Sequence, residues 1–217
     1  MAGLLEKDIR LLLQRKQAIV MFLVIAVVLG FSTGGTFIVA YTAFCLIMVA
    51  VGTVSYDEFD NGFSFLMTLP VTRRTYVAEK YILCGITGLV AWIFSVVVCV
   101  LQNQSRQVGV VTTDLLMEAV VMLPIALIIM DLMIPVQIKY GSEKSRIVLV
   151  VVAGIAMVAG IALKKGAELL QLPVGSIMEK LNQVTDVQLL AGSFVLAIAA
   201  TALSFVISLK IMNKKEF

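Results

Sequence analysis

Residues 17–56 read QAIVMFLVIAVVLGFSTGGTFIVAYTAFCLIMVAVGTVSY, 40 consecutive positions without Asp, Glu, Lys or Arg. A membrane-spanning helix needs about 20 mostly apolar residues. The stretch has twice that length and carries turn chemistry, Ser32-Thr33-Gly34-Gly35-Thr36, at its middle. It therefore predicts a tight helical hairpin of two spans, about 17–32 and 37–55. Three further charge-free stretches follow, with 25 residues in Tyr81–Ser105, 17 in Ile147–Leu163 and 23 in Val187–Leu209. A fourth, Ala119–Ile138, has spanning length but contains Asp131 and is bracketed by Pro124 and Pro135, which should kink it. The resulting fold class is an all-α integral membrane domain over 1–217. Its remaining spans fall at about 79–103, 117–138, 146–164 and 187–210, which makes six transmembrane helices.

Composition supports the same class. The 217 residues are 60% hydrophobic and only 14% charged, where soluble domains carry about 25% charged residues. A soluble fold has no interior large enough for so much apolar surface. The chain has no histidine and a net charge of +3. The commonest general base and metal ligand is thus missing, and the charge is too small to argue for nucleic acid. No metal site is expected, and Cys45, Cys84 and Cys99, all inside spans, read as small apolar packing residues. With six alternating spans, 13 of the 17 Lys and Arg residues fall on one side and 4 on the other. That asymmetry predicts cytoplasmic termini. No cleavable leader is expected, because the first apolar core starts late and no small-residue cleavage site follows it.

Residues 1–16 place Leu4, Leu5, Ile9, Leu12 and Leu13 on a helical arc, with Lys7, Arg10 and Gln14 roughly opposite. This predicts an interfacial helix, or else an extension of the first span; Asp8 and Arg15 intrude on its apolar side. Small residues at Gly85, Gly88 and Ala91, and again at Gly154, Ala156, Ala159 and Gly160, permit close helix contact, within the chain or between copies.

The loop between spans two and three changes polarity in order. Asp57, Glu58 and Asp60 open it, Gly62 follows, and Phe63, Leu66 and Met67 then fall on one face of a short helix. Leu69-Pro70 should end that helix. Thr72 can cap the next one, which carries Arg73, Arg74 and Lys80. The apolar face either docks a partner or tucks against the ends of neighbouring spans.

The run Glu58-x-x-x-Gly62, Leu66-x-x-Leu69-Pro70-Val71-Thr72-Arg73, with Lys80 beyond, resembles the loop after the second span in ABC-2 type transporter permeases. The second cytoplasmic loop, Pro135-x-x-x-Lys139-Tyr140-Gly141 with Lys144 and Arg146, is similar to the proline, basic-aromatic-glycine run of the same family. Thr72 stands where serine is more usual. Compact six-span permeases that export bacteriocins, antibiotics or amphipathic peptides such as phenol-soluble modulins are the most similar branch, and the longest external loop here, Lys164–Asp186, has only 23 residues. The resemblance implies a coupling helix between spans two and three that docks an ATP-binding-cassette ATPase subunit. It also implies a second permease copy, a bacterial cell membrane, and a hydrophobic or amphipathic cargo.

No Walker A phosphate loop occurs, so the chain is expected not to be an enzyme. It should carry no cofactor of its own, ATP and Mg²⁺ belonging to the partner ATPase. On this reading Leu66→Asp or Phe63→Asp should leave the protein inserted but without its ATPase.

Two other classes remain open. Asp131 is a possible cavity residue, because an ionisable group deep in a bilayer costs about 2.5–3.5 kcal/mol and marks a polar pathway by default. It could serve an ion-coupled secondary carrier or channel. A non-transporting scaffold or immunity protein is the third class.

Overall fold

The computed structural model describes residues 1–33, 35–58, 62–106, 112–169 and 186–215, and every regular element among them is α-helical. In chain order they are α1 (Ala2–Gln14), α2 (Lys16–Thr33), α3 (Gly35–Val51), α4 (Thr53–Glu58), α5 (Gly62–Thr68), α6 (Arg73–Arg106), α7 (Thr112–Leu169) and α8 (Asp186–Lys214). Among the described residues, four segments are long and apolar enough to cross a membrane: Phe37–Glu58, Arg73–Gln104, Leu115–Gly141 and Val187–Lys214. Counting the bent pair Gly3–Gln14 and Lys16–Gly30 as one span raises the number to five. By itself α2 has 18 residues, about 27 Å at 1.5 Å per residue. That is slightly less than a hydrocarbon core of about 30 Å.

The first expected break is present. Helix α2 ends at Thr33 and α3 begins at Gly35, and the two pack against each other. Gly30 permits the close approach, since a Cβ there would overlap Ile38 and lie 2.7 Å from the amide of Gln102. The N-terminal segment forms a separate helix, α1, which turns 65° away from α2. A break also falls between the fourth and fifth expected spans, 117–138 and 146–164. Helix α7 keeps helical dihedrals through Pro124 and Pro135 and departs from them at Gly141, with φ of 70° and ψ of −173°. A left-handed φ suits glycine, which has no Cβ to clash. Segment 146–164 is the distal limb of this helix.

Among the described residues, two buried clusters hold the bundle. The smaller joins Ala26, Ile38, Val39, Cys99 and Ala119, beside which the Trp92 indole N–H donates to the carbonyl of Ala119 at 2.7 Å. The larger gathers residues from seven helices, among them Leu4, Val54, Phe63, Tyr76, Ile134, Ile138 and Met212. It sits where α1, α4 and α5 meet the ends of the long helices, and so underlies the candidate site. The three cysteines are buried and none of them forms a disulfide. Of the small residues, Ala91 is buried and a Cβ on Gly88 would touch Ile47 at 3.4 Å, whereas Gly85 and Gly154 have nothing within 4 Å.

Polar contacts between long helices supplement the apolar packing. The Tyr81 hydroxyl on α6 lies 2.6 Å from Ser204 Oγ and 3.0 Å from Ser208 Oγ on α8. All three groups are buried. Interhelical hydrogen bonds in membranes contribute roughly 0.6–2 kcal/mol. Tyr81→Phe should therefore destabilise the protein by about 1 kcal/mol, read as a lower midpoint in denaturation from detergent micelles.

Candidate functional site

Helix α4 continues the direction of α3 after a one-residue interruption at Gly52, and it brings Asp57 and Glu58 to the end of the bundle. Each carboxylate anchors a different set of elements. Asp57 is 5% exposed and accepts from Tyr76 Oη at 2.9 Å. It also pairs with Lys80 Nζ at 2.9 Å and with Lys7. Lys80 is fully buried, as is Asp8, and the two form an ion pair. Thr53 Oγ1 lies 3.2 Å from the same ammonium. Lys7 stands 3.0 Å from Asp8, and Glu79, also buried, lies 3.7 Å from Lys80. Three acids and two bases from α1, α4 and α6 thus share one pocket.

An ammonium cannot be buried unless it is paired and hydrogen-bonded. Here its partners come from two other helices, so α1 and α4 are both fixed to the start of α6. The intrusion of Asp8 on the apolar side of α1 is thereby explained, since that carboxylate is the counter-ion of Lys80.

Glu58 builds the second set. Its carboxylate accepts from Lys215 Nζ at 2.6 Å. The same ammonium donates to the Ile138 carbonyl at 3.1 Å and stands 4.5 Å from the centre of the Phe63 ring. A Cβ on Gly141 would overlap the Glu58 carboxylate. Gly141 therefore provides both the left-handed turn of α7 and the space for Glu58. Two further contacts brace the region: Gln137 Nε2 donates to Ser55 Oγ at 2.6 Å, and Arg73 Nη1 donates to the Asn213 carbonyl at 2.6 Å.

Helix α5 packs against this base. Gly62 starts it close to α4, where a Cβ would lie 2.8 Å from the Asp57 carbonyl oxygen. Phe63 is 4% exposed and Leu66 7%, and Phe63 meets the Tyr76 ring edge-on with centroids 5.5 Å apart. These two side chains face inward, as an apolar face tucked against the bundle requires. The outward face carries Phe65, 68% exposed, with Leu69, 42% exposed, and Pro70 at its end. Thr72 caps α6 as expected, accepting from the Thr75 N–H at 3.1 Å.

The other expected residues are dispersed. Lys139, Tyr140 and Lys144 are exposed, with Lys139 Nζ 4.8 Å from the Tyr140 ring centre. Asp60 lies outside the described residues, as do the side chains of Met67 and Arg146. Asp131 pairs with α8 instead. It is 6% exposed, its Oδ2 accepts from Thr201 Oγ1 at 2.8 Å, and its carbonyl accepts from Ser204.

Sequence reasoning missed the participation of Lys7, Asp8, Tyr76 and Lys215. It also missed Phe65, because an i, i+3, i+4 pattern identifies an apolar face without saying what covers it.

Residues 3–213 match the family described as ABC-2 family transporter protein. The chain belongs to that family. No curated protein and no solved structure is matched by the chain. As an ABC-2 permease it is a multi-pass membrane subunit of an ABC transporter, and membership of the family implies partnership with an ABC ATPase subunit.

The charge cluster of this ABC-2 permease has a measurable consequence. Removing one member of a buried pair costs about 3–5 kcal/mol, because the remaining charge is stranded. Lys80→Met should cause a loss of that size, and adding Asp8→Asn should recover part of it. Non-additive unfolding midpoints for the two single variants and the double variant would register the coupling.

Proposed function

We propose that the chain is the membrane path of an exporter that moves a hydrophobic or amphipathic cargo, such as a peptide, antibiotic or lipid-like molecule, out of the cytoplasm or inner leaflet. Its ATPase, which binds ATP and Mg²⁺, docks beneath residues 55–80. Six spans cross a bacterial cell membrane, with α2, α3 together with α4, α6, the two limbs of α7 and α8 as the crossings. Both termini are cytoplasmic on the basis of the 13 to 4 split of basic residues. Helix α1 lies along the cytoplasmic interface. A second copy of the chain completes the path, because six helices are few for enclosing a large cargo.

One observation carries the docking assignment: the two faces of α5 have opposite fates. Its inner face, Phe63 and Leu66, belongs to the core that also holds Leu4, Val54 and Tyr76. Its outer face presents Phe65, continued by Leu69 and Pro70. A partner gripping Phe65 would act on a lever already joined to α1, α4 and α6. The coupling role thus divides between an outer contact at Phe65 and Leu69 and an inner transmission through Phe63, Leu66, Asp57 and Glu58. Lys139, Tyr140, Lys144 and Arg146 form the neighbouring cytoplasmic rim.

The test is copurification of the ATPase subunit with tagged permease. Phe65→Asp and Leu69→Asp should reduce it at least tenfold while membrane insertion and the unfolding midpoint stay at wild-type values. Phe63→Asp should instead lower the midpoint. Wild-type stoichiometry with Phe65→Asp would sink the docking assignment, and uptake driven by a pH gradient in vesicles holding this chain alone would replace it with an ion-coupled carrier.

A further inference from the structure

A groove of about 590 Å³ opens between α7 and α8. The two helices run in the same direction along it, since Thr201 meets Asp131 at one level and Lys215 reaches the Ile138 carbonyl nearer the base. The walls extend from Ile128 to Tyr140 on α7 and from Ala200 to Ile211 on α8. Each stretch covers about 16–18 Å at 1.5 Å per residue, slightly more than one leaflet of a hydrocarbon core about 30 Å thick. Leu132 is 42% exposed, Leu203 66% and Ile207 50%, so the apolar walls lie open along the side of the bundle.

Basic charge gathers at one end. Lys139 and Tyr140 line the groove there, both exposed, with the ammonium beside the ring. Lys210 and Lys214, also exposed, each follow a lining residue, Ile207 and Ile211, by three positions, which continues that face of α8. Among the described residues no carboxylate pairs with any of these three lysines. The two candidate spans end at Gly141 and Lys214. The basic end therefore stands at headgroup level, and the apolar length runs inward from it. Asp131, deeper in the groove, offers no competing site, because Oδ2 accepts from Thr201 and Oδ1 is buried.

We propose that this groove holds one resident anionic phospholipid of the leaflet at the base. Its phosphate sits on Lys139, with Lys210 and Lys214 beside it, and one acyl chain runs along Leu132, Leu203 and Ile207. Basic pockets between membrane helices select anionic headgroups. The lipid enters sideways at its ordinary depth, with its charge among the lysines and its tail in hydrocarbon. A zwitterionic lipid is disfavoured, because its amine would be brought among three ammonium groups. The inference rests on the exporter reading only in making that leaflet the cytoplasmic one.

Native mass spectrometry of the full chain released from detergent micelles tests it, with palmitoyl-oleoyl phosphatidylglycerol and the phosphatidylcholine of the same chains added in equal amounts. One phosphatidylglycerol per chain is expected, preferred at least tenfold. Combining Lys139→Gln with Lys214→Gln should reduce the preference at least fivefold at an unchanged unfolding midpoint. Leu203→Trp, made at an exposed position, narrows the groove and should reduce the adduct similarly with the lysines intact. The wild-type comparison decides the matter even if a variant fails to fold. Equal retention of the two lipids, an unchanged preference in the lysine variant, or an unchanged adduct in Leu203→Trp would each overturn the assignment. Displacement by inorganic phosphate at the lipid's concentration would also overturn it, leaving the affinity to the lysines alone. A lipid-free dimer split by Leu203→Trp would give the groove to a second copy instead. Phosphatidylglycerol retention without ATPase copurification removes only the exporter reading, and copurification without lipid preference removes only the groove assignment.

Discussion

A lysine ammonium with no exposure to solvent is the constraint around which the charged base of the bundle is arranged. Lys80 retains its charge at depth only because Asp8 and Asp57 reach it from two other helices while Thr53 lies within hydrogen-bond distance. Apolar packing tolerates small slips between helices. Paired charges do not, since separating them exposes each to a medium that cannot solvate it. The cluster therefore makes α1, α4 and the start of α6 a single mechanical piece. The apolar residues beside it, including Leu4, Val54, Phe63 and Tyr76, seal it from water.

That piece is continuous with α5 on one side and with α7 and α8 on the other. Phe63 touches both networks, meeting Tyr76 of the Asp57 set edge-on and lying under Lys215 of the Glu58 set. Adjacent residues on α4 thus face different helices. A displacement of α5 acts on both, which is the arrangement a subunit driven from outside the membrane requires. How far such a push travels along α6 and α8 depends on interhelical contacts such as Tyr81 with Ser204 and Ser208.

Much of the fold was legible because hydrocarbon imposes a simple rule on sequence: stretches without charge mark the membrane and charges mark its edges. Hairpin 17–56, the Thr72 cap and the end of α5 at Leu69-Pro70 follow from such local chemistry. The break in α7 at Gly141 likewise falls between the expected spans 117–138 and 146–164. The site was legible in its members and hidden in its pairings. Glu58 and Gly141 each belonged to a recognisable run, but only the folded chain shows that the glycine leaves room for the carboxylate. Asp8 and Lys80, 72 residues apart, carry no mutual signal in sequence beyond Asp8 interrupting an apolar arc. Phe65 was missed because periodicity separates two faces without identifying the covered one.

The sequence distance between Glu58 and Lys215 has a consequence for biogenesis. Synthesis runs from the N-terminus, and Asp57 can find Lys80 as soon as the next helix emerges. Glu58 must wait 157 residues for its partner. The Glu58–Lys215 pair is thus among the last contacts available to the nascent chain. It works as a clasp that closes only after α8 has reached the bundle, and it ties the arrival of that helix to the order of the base.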